Sequence, residues 1–144
     1  MSAGSAMDID TSTWTKIGES ANAIFYEIEP HALAIVPFDG SADDEPTAKE
    51  SVRIQLDYLR AKGTRAGTIV FMDRLVAQDS AARSVYRDAP DQQFQVCFAL
   101  IGGTSFGRAV ASVFIGLHRL RVPTKMFGTY DNAIAWVRTM VAAT

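Results

Sequence analysis

The sequence predicts an α/β domain with the element order ββαβαβαβα, a mixed, mainly parallel five-stranded sheet and about four helices. Short apolar runs alternate with segments of helical periodicity, which is typical of β-α-β units with right-handed crossovers. Two of these runs are apolar throughout, as expected for strands that are covered on both faces. At 144 residues, the chain has the length of one domain and can bury a core without disulfides or metals.

The chain is predicted to open with a flexible tail and then a β-hairpin. Residues 1–13 are small, polar and acidic, so the single domain is expected over residues 14–144. Ile24, Tyr26 and Ile28 recur at every second position, which indicates a strand with one face more buried than the other. After a turn at residues 29–31, the apolar run 32–36 is the partner strand, and the first strand is expected to be an antiparallel edge of the sheet.

The clearest local prediction is a helix that follows an acidic segment at residues 41–45. Pro46 suits the first turn of a helix, where carboxylates also favour the helix dipole. The apolar positions that recur at helical spacing are Ala48, Val52, Leu56 and Leu59. Lys62 and Gly63 indicate the end of this helix, with a basic residue in its last turn.

Two apolar strands and a short helix between them are predicted next. The strands are residues 67–72 and 94–101. Asp79 and Ser80 offer an N-cap for a helix over residues 81–88, and Pro90 stops that helix.

A third helix is predicted from the Gly102-Gly103-Thr104-Ser105 turn to about Leu120, and it has an unusually broad apolar surface. Its apolar positions include Phe106, Val110, Val113, Phe114, Ile115 and Leu117. This breadth leaves three interpretations open, which are full burial, a hydrophobic groove for a lipid tail, or a homodimer face. A short strand at residues 124–127 and a last helix, capped within residues 130–132, complete the predicted fold.

Three stretches taken together resemble a known family. They are residues 47–51 (TAKES), residues 69–73 (IVFMD) followed by residues 79–83 (DSAAR), and a C-terminal third that contains FGR, ASVF, PTK, MF and AIAWV in order. Across about residues 20–141 the chain resembles the bacterial STAS-like proteins, relatives of the anti-sigma-factor antagonists in a branch also compared with CRAL-TRIO lipid-transfer domains. The resemblance implies the ββαβαβαβα fold and a regulatory or protein-interaction domain without established catalysis.

The resemblance also implies a candidate phosphosite. In the antagonist branch, a partner kinase phosphorylates a serine at the start of the second helix, and the nearest candidate here is Ser80. A phosphate suits the N-terminus of a helix electrostatically. The family's Asp-Ser-Ser or Asp-Ser-Gly pattern is replaced by Asp79-Ser80-Ala81. The alternative is that Asp79 or Ser80 simply caps the helix.

The turn at residues 102–105 is a second candidate site, because backbone N–H groups between a strand and a helix can bind an anion. It lacks the Gly-Lys-Ser/Thr ending of a P-loop and the GxGxxG spacing of a dinucleotide site, so a structural turn is the alternative. The starts of the second and third helices together predict a surface for a protein partner or an anion. Its members are Ser80, Arg83, Gly103, Thr104, Ser105 and Arg108.

A comparison with phospho-accepting receiver domains is suggested by Asp73, Thr104 and Lys125, which adjoin predicted strands. Too few residues separate Asp43 and Asp44 from Asp73 for the missing β-α unit, and receivers have no opening hairpin. The sequence therefore disfavours a receiver domain.

Composition excludes several other classes of function. With 14 basic and 16 acidic residues and no basic cluster, nucleic acid is disfavoured as a partner. His31, His118 and the single Cys97 form no metal-binding spacing, and Cys97 is expected to be buried in its apolar run. The chain shows no apolar run of the ~20 residues that a membrane helix needs and no secretory signal, so a cytoplasmic protein is expected.

These observations favour a non-enzymatic domain that acts by protein association in bacterial regulation, with another protein or a second copy of itself as partner. No catalytic set, metal site or cofactor is expected. The alternative is a domain that binds a small molecule or lipid in an apolar pocket beside the third predicted helix.

Overall fold

The computed structural model describes residues 9–104, 108–109 and 120–143. These residues form a six-stranded sheet, a separate two-stranded sheet and three helices. In chain order the elements are β1 (Thr15–Glu19), β2 (Ala23–Glu29), β3 (Ala32–Pro37), β4 (Ser41–Asp43), α1 (Glu45–Lys62), β5 (Ala66–Phe71), a 3-10 turn (Met72–Arg74), β6 (Leu75–Gln78), α2 (Ser80–Asp88), β7 (Gln95–Ile101), β8 (Thr124–Phe127) and α3 (Tyr130–Ala142).

The main sheet is mixed and mainly parallel, as predicted. Its strand order is β1-β2-β3-β5-β7-β8, in which β1, β2 and β3 are antiparallel and the pairs from β3 to β8 are parallel. The parallel strands therefore end at one edge of the sheet, which we call the carboxyl edge. The small sheet pairs β4 with β6, and these strands follow β3 and β5 at that edge.

The strand count differs from the predicted five, and the element order differs accordingly. β1 is an additional edge strand, so the first strand of the predicted hairpin is the second strand of the sheet rather than an edge. The sequence of β1, TKIGE, hides it, because a bulge between Lys16 and Gly18 breaks its alternation. β4 and β6 have three and four residues, which is too short for periodicity to reveal.

The central helix boundaries follow from their capping residues. Asp44 caps α1 by accepting a hydrogen bond from the Thr47 amide, and Gly63 ends the helix with a φ of 62°, in the left-handed region that glycine favours. The prediction for this helix is confirmed. For α3, the predicted cap is wrong by one position, because the Thr129 hydroxyl rather than residues 130–132 accepts the amide of Asn132.

Two predicted segments lie partly outside the described residues. Of the third predicted helix, Arg108, Ala109 and Leu120 are described; Arg108 and Ala109 are helical, and Leu120 is not. The predicted tail begins with residues that the structure does not describe. Within its described part, Ile9 packs against the main core cluster, because an apolar side chain of this size gains by leaving water.

The core lies on both faces of the main sheet. On one face, α3 packs Ala133, Ile134 and Val137 against buried strand residues that include Cys97. On the other face, α1 packs against β2 and β3, while α2 packs mainly against α1. No helix in the described parts of the chain is long and apolar enough to cross a membrane.

Candidate functional site

The starts of α1 and α2 lie side by side at the carboxyl edge. The small sheet brings them together, because β4 leads into α1 and β6 leads into α2. The Asp79 amide donates a hydrogen bond to the Asp43 carbonyl oxygen at 3.2 Å. The turn at residues 102–104 follows β7 and belongs to the same edge, so the predicted surface residues come from neighbouring connections.

The turn after β7 is already bonded to a carboxylate of this chain. Asp73 Oδ2 accepts a hydrogen bond from the Gly103 amide at 2.8 Å. Asp73 Oδ1 accepts from the Thr104 amide at 2.9 Å and from its hydroxyl at 2.7 Å. The two amides that were predicted as a site for an external anion are therefore occupied, because they bind the Asp73 carboxylate of this chain.

Arg108 belongs to the same cluster. Its Nη1 donates to the Gly103 carbonyl oxygen at 2.6 Å, and its backbone amide donates to the Thr104 carbonyl oxygen at 3.0 Å. The guanidinium therefore holds the turn in place. Ser105, the remaining predicted residue of this turn, lies outside the described residues.

At the start of α2, Asp79 is the cap and Ser80 is the first helical residue. The Asp79 carboxylate accepts the Ala82 amide at 2.8 Å, and the Ser80 side chain is exposed. Arg83 is half-buried, and its Nη1 donates to the Gln78 carbonyl oxygen at 2.8 Å. Part of the predicted surface is thus structural, whereas Ser80 is accessible.

The receiver-like trio is only partly assembled. Asp73 and Thr104 are hydrogen-bonded. The Lys125 ammonium instead lies 5.5 Å from the centre of the Phe127 ring, where it makes a cation–π contact.

Sequence reasoning missed two exposed apolar side chains at the carboxyl edge. Phe38, in the turn after β3, is 37% exposed, and Val76, in β6, is 59% exposed. They are the exposed large hydrophobic residues of the described part of the chain. The Gly40 amide, which donates to the Arg74 carbonyl oxygen at 2.9 Å, ties these two segments together. Because β6 was not predicted, nothing in the sequence indicated which side of Val76 faces water.

A cavity of about 50 Å³ lies between the sheet and the elements that cover its α1 face. Its walls are mostly apolar, and one end is polar. The lining residues include Asn22, Phe25, Ile35, Asp43, Ser51, Val70, Met72, Leu75, Gln78, Tyr86, Phe98 and Leu100.

Asp43 dominates the polar end of this cavity. Its side chain is buried, and Oδ1 accepts hydrogen bonds from Thr47 Oγ1 at 2.6 Å and Asn22 Nδ2 at 3.3 Å. Oδ2 accepts from Gln78 Nε2 at 3.0 Å. Tyr86 also hydrogen-bonds to Asp43. From the sequence, Asp43 is predicted only as an acidic residue before a helix, because its partners are scattered along the chain.

Tyr86 and Cys97 are the titratable groups most altered by burial. Loss of water contact, and next the charge of Asp43, raise the pKa of Tyr86 well above its ordinary value of 10.0, while a hydrogen bond with Ser51 opposes this change. Burial raises the pKa of the Cys97 thiol to about 12. Cys97 is fully buried, as its apolar run predicts.

A family model described as a domain of unknown function, DUF7793, matches residues 26–141. The chain belongs to the DUF7793 family. No protein with a curated function matches it. The match begins within β2 and ends within α3, so this DUF7793 domain includes the carboxyl edge and most of the residues that line the cavity.

The DUF7793 domain is also similar in fold to a solved structure. That structure is an uncharacterized protein of the DUF3478 family from Shewanella loihica PV-4, described as having a SpoIIAA-like fold. The two chains are 11% identical and superpose with a TM-score of 0.50, and the match covers 90% of this chain and 99% of the other. This similarity supports the STAS-like fold and carries no function with it.

Proposed function

We propose that this DUF7793 domain is a non-enzymatic, STAS-like interaction module of bacterial regulation whose contact surface is the carboxyl edge. The observation that carries the proposal is the exposure of Phe38 and Val76 at this edge. Exposed apolar side chains raise the free energy of the unbound protein in water, and their burial under a partner lowers the free energy of the complex. A partner protein that covers both would also reach the start of α2.

The surrounding groups give this surface a polar rim. Ser80 is exposed two residues after the end of β6, and the turn held by Asp73 follows β7 at the same edge. Protein interfaces combine an apolar centre with a polar rim of this kind. The STAS-like fold supports the proposal by analogy only, because one fold serves many functions.

Phosphorylation of Ser80 is the proposed means of control. A phosphate there would carry a charge of about −1.5 to −2 into the rim of the surface. The Asp79 carboxylate already caps the α2 amides, so the phosphate would add negative charge beside an occupied cap. We therefore expect phosphorylation to weaken, rather than create, contact with an apolar or acidic partner.

Affinity purification with matched surface variants tests the proposal. Tagged wild-type protein and Val76→Lys are purified from cells of the source organism, and the bound proteins are quantified by mass spectrometry. Ala135→Lys, on the exposed side of α3, is the control for an added surface charge. A partner retained by wild type and Ala135→Lys but lost from Val76→Lys supports the carboxyl edge, whereas equal retention by all three proteins contradicts it.

A further inference from the structure

We propose that the cavity beside Asp43 binds a small organic cation, with its ammonium group against Asp43 and a short apolar body against the sheet. This inference goes beyond the proposed association, because it concerns an interior site of the domain and a ligand rather than a protein. It rests on the buried Asp43 carboxylate, on the buried Gln78 side-chain oxygen that lacks a donor, and on the apolar and aromatic side chains of the walls.

The polar end holds a carboxylate with no opposite charge. Asp43 is 4% exposed, and all four of its side-chain partners are neutral amides or hydroxyls. No lysine, arginine or histidine of the described residues lies within 4 Å of it as an ion-pair partner. A buried charge is costly unless it is paired, so a cation is the ligand that this site favours.

A second acceptor at the same end lacks a donor. Gln78 Nε2 donates to Asp43 Oδ2, which fixes the orientation of the amide because a carboxylate only accepts. Gln78 Oε1 is then left buried without a hydrogen-bond partner. An ammonium group carries three N–H donors, so a head group that lies against the Asp43 carboxylate can donate one of them to Gln78 Oε1.

The walls suit the body of such a ligand. Phe25, Tyr86 and Phe98 place three aromatic side chains around the cavity, and aromatic rings attract ammonium groups through cation–π interactions. Apolar side chains from the sheet and from the covering elements complete the walls. The volume of about 50 Å³ exceeds the roughly 10–15 Å³ that a single water needs, so the cavity has room for a small organic ligand.

Other ligand classes fit the same cavity less well. An organic anion would be repelled by the carboxylate of Asp43. For a metal ion, no group of three histidine, cysteine or acidic side chains converges anywhere in the described parts of the chain.

Binding of n-butylammonium to the full chain tests the proposal. Amide resonances are followed by heteronuclear NMR during titration with n-butylammonium, and parallel titrations use n-butanol and butyrate, which have the same length. We expect saturable shifts at cavity residues with n-butylammonium, about tenfold weaker binding of n-butanol and none of butyrate. No saturable shift with n-butylammonium at tens of millimolar, or equal binding of n-butanol, would overturn the proposal.

Variants locate the head group. Asp43→Asn preserves the shape of the side chain and removes its charge, and we expect it to weaken n-butylammonium binding about tenfold or more. Asp44→Asn, which removes the neighbouring exposed carboxylate while keeping a good helix cap, is expected to bind as wild type does. Equal affinity of Asp43→Asn and wild type would contradict the site. If Asp43→Asn does not fold, the wild-type comparison of ammonium, alcohol and carboxylate decides alone.

Discussion

The Asp73 side chain occupies the backbone amides of the glycine-rich turn after β7, which would otherwise be a candidate anion site. A glycine-rich turn between a strand and a helix is a common anion site, and the sequence predicts such a site at residues 102–105. In the structure, three hydrogen bonds from the turn end on the Asp73 carboxylate. Asp73 lies thirty residues earlier, so no local pattern connects it with the turn.

Removing this carboxylate should loosen the turn. Gly103 and Thr104 are exposed residues, yet their amides are expected to exchange slowly with solvent because Asp73 accepts them. In Asp73→Ala we expect hydrogen exchange at both amides to accelerate about tenfold and the free energy of unfolding to fall by about 1–3 kcal/mol. Exchange measured by NMR checks this, with Asp131→Ala as the control; unchanged exchange in Asp73→Ala would refute the role of the carboxylate.

The buried thiol predicts a dependence of stability on pH. The pKa of Cys97 is raised from 9.0 to about 12 in the folded chain, so the unfolded chain loses this proton at a lower pH. The stability that Cys97 contributes is therefore complete below about pH 9 and falls as the pH rises toward 12. Urea unfolding should show that the advantage of wild type over Cys97→Ala shrinks as the pH is raised through this range.

A chemical measurement checks the same burial. Native Cys97 should not react with a thiol reagent at pH 8 until the chain unfolds, since only the exposed thiolate is reactive. A thiol that reacts equally fast in folded and urea-unfolded protein would show that β7 is not covered.

At the scale of elements, residue patterns predicted the long, regular helices and strands and missed the short strands. α1 was recognisable because Pro46 and Gly63 mark its ends, and β5 and β7 because their residues are apolar almost throughout. β4 and β6 are too short to show any periodicity, although β4 leads into α1 and β6 leads into α2. The site around Asp43 was not predictable, because its donors come from four separate elements or turns.

The packing of α3 on the sheet depends on a close approach at Gly67 in β5. A Cβ atom there would lie 2.7 Å from Cys97 Sγ and 2.7 Å from Val137 Cγ1. We expect Gly67→Ala to destabilise the fold by about 1–3 kcal/mol through overpacking. Gly128→Ala, whose Cβ would have no atom within 4 Å, should change the free energy of unfolding by less than ~0.5 kcal/mol. Equal urea midpoints for the two variants would contradict the packing of α3.

For the whole molecule, one topology positions both of the proposed sites. The parallel strands bring their ends to the carboxyl edge, where the chain exposes Phe38 and Val76 outward. At the same edge, Asp43, Leu75 and Gln78 of the small sheet line the cavity together with residues of the main sheet, α1 and α2. The mainly parallel α/β topology was predictable from the alternation of elements, whereas the positions of these two proposed sites depend on β4 and β6.

Site-specific photo-crosslinking in cells of the source organism tests the central claim, that the carboxyl edge contacts another protein, most directly. A photoreactive amino acid replaces Val76 in one strain and the exposed Ala135 of α3 in another. The account predicts a discrete crosslinked species from position 76, to a partner or to a second copy, and none from position 135. Crosslinks of equal yield from both positions, or a discrete species from position 135 alone, would contradict it.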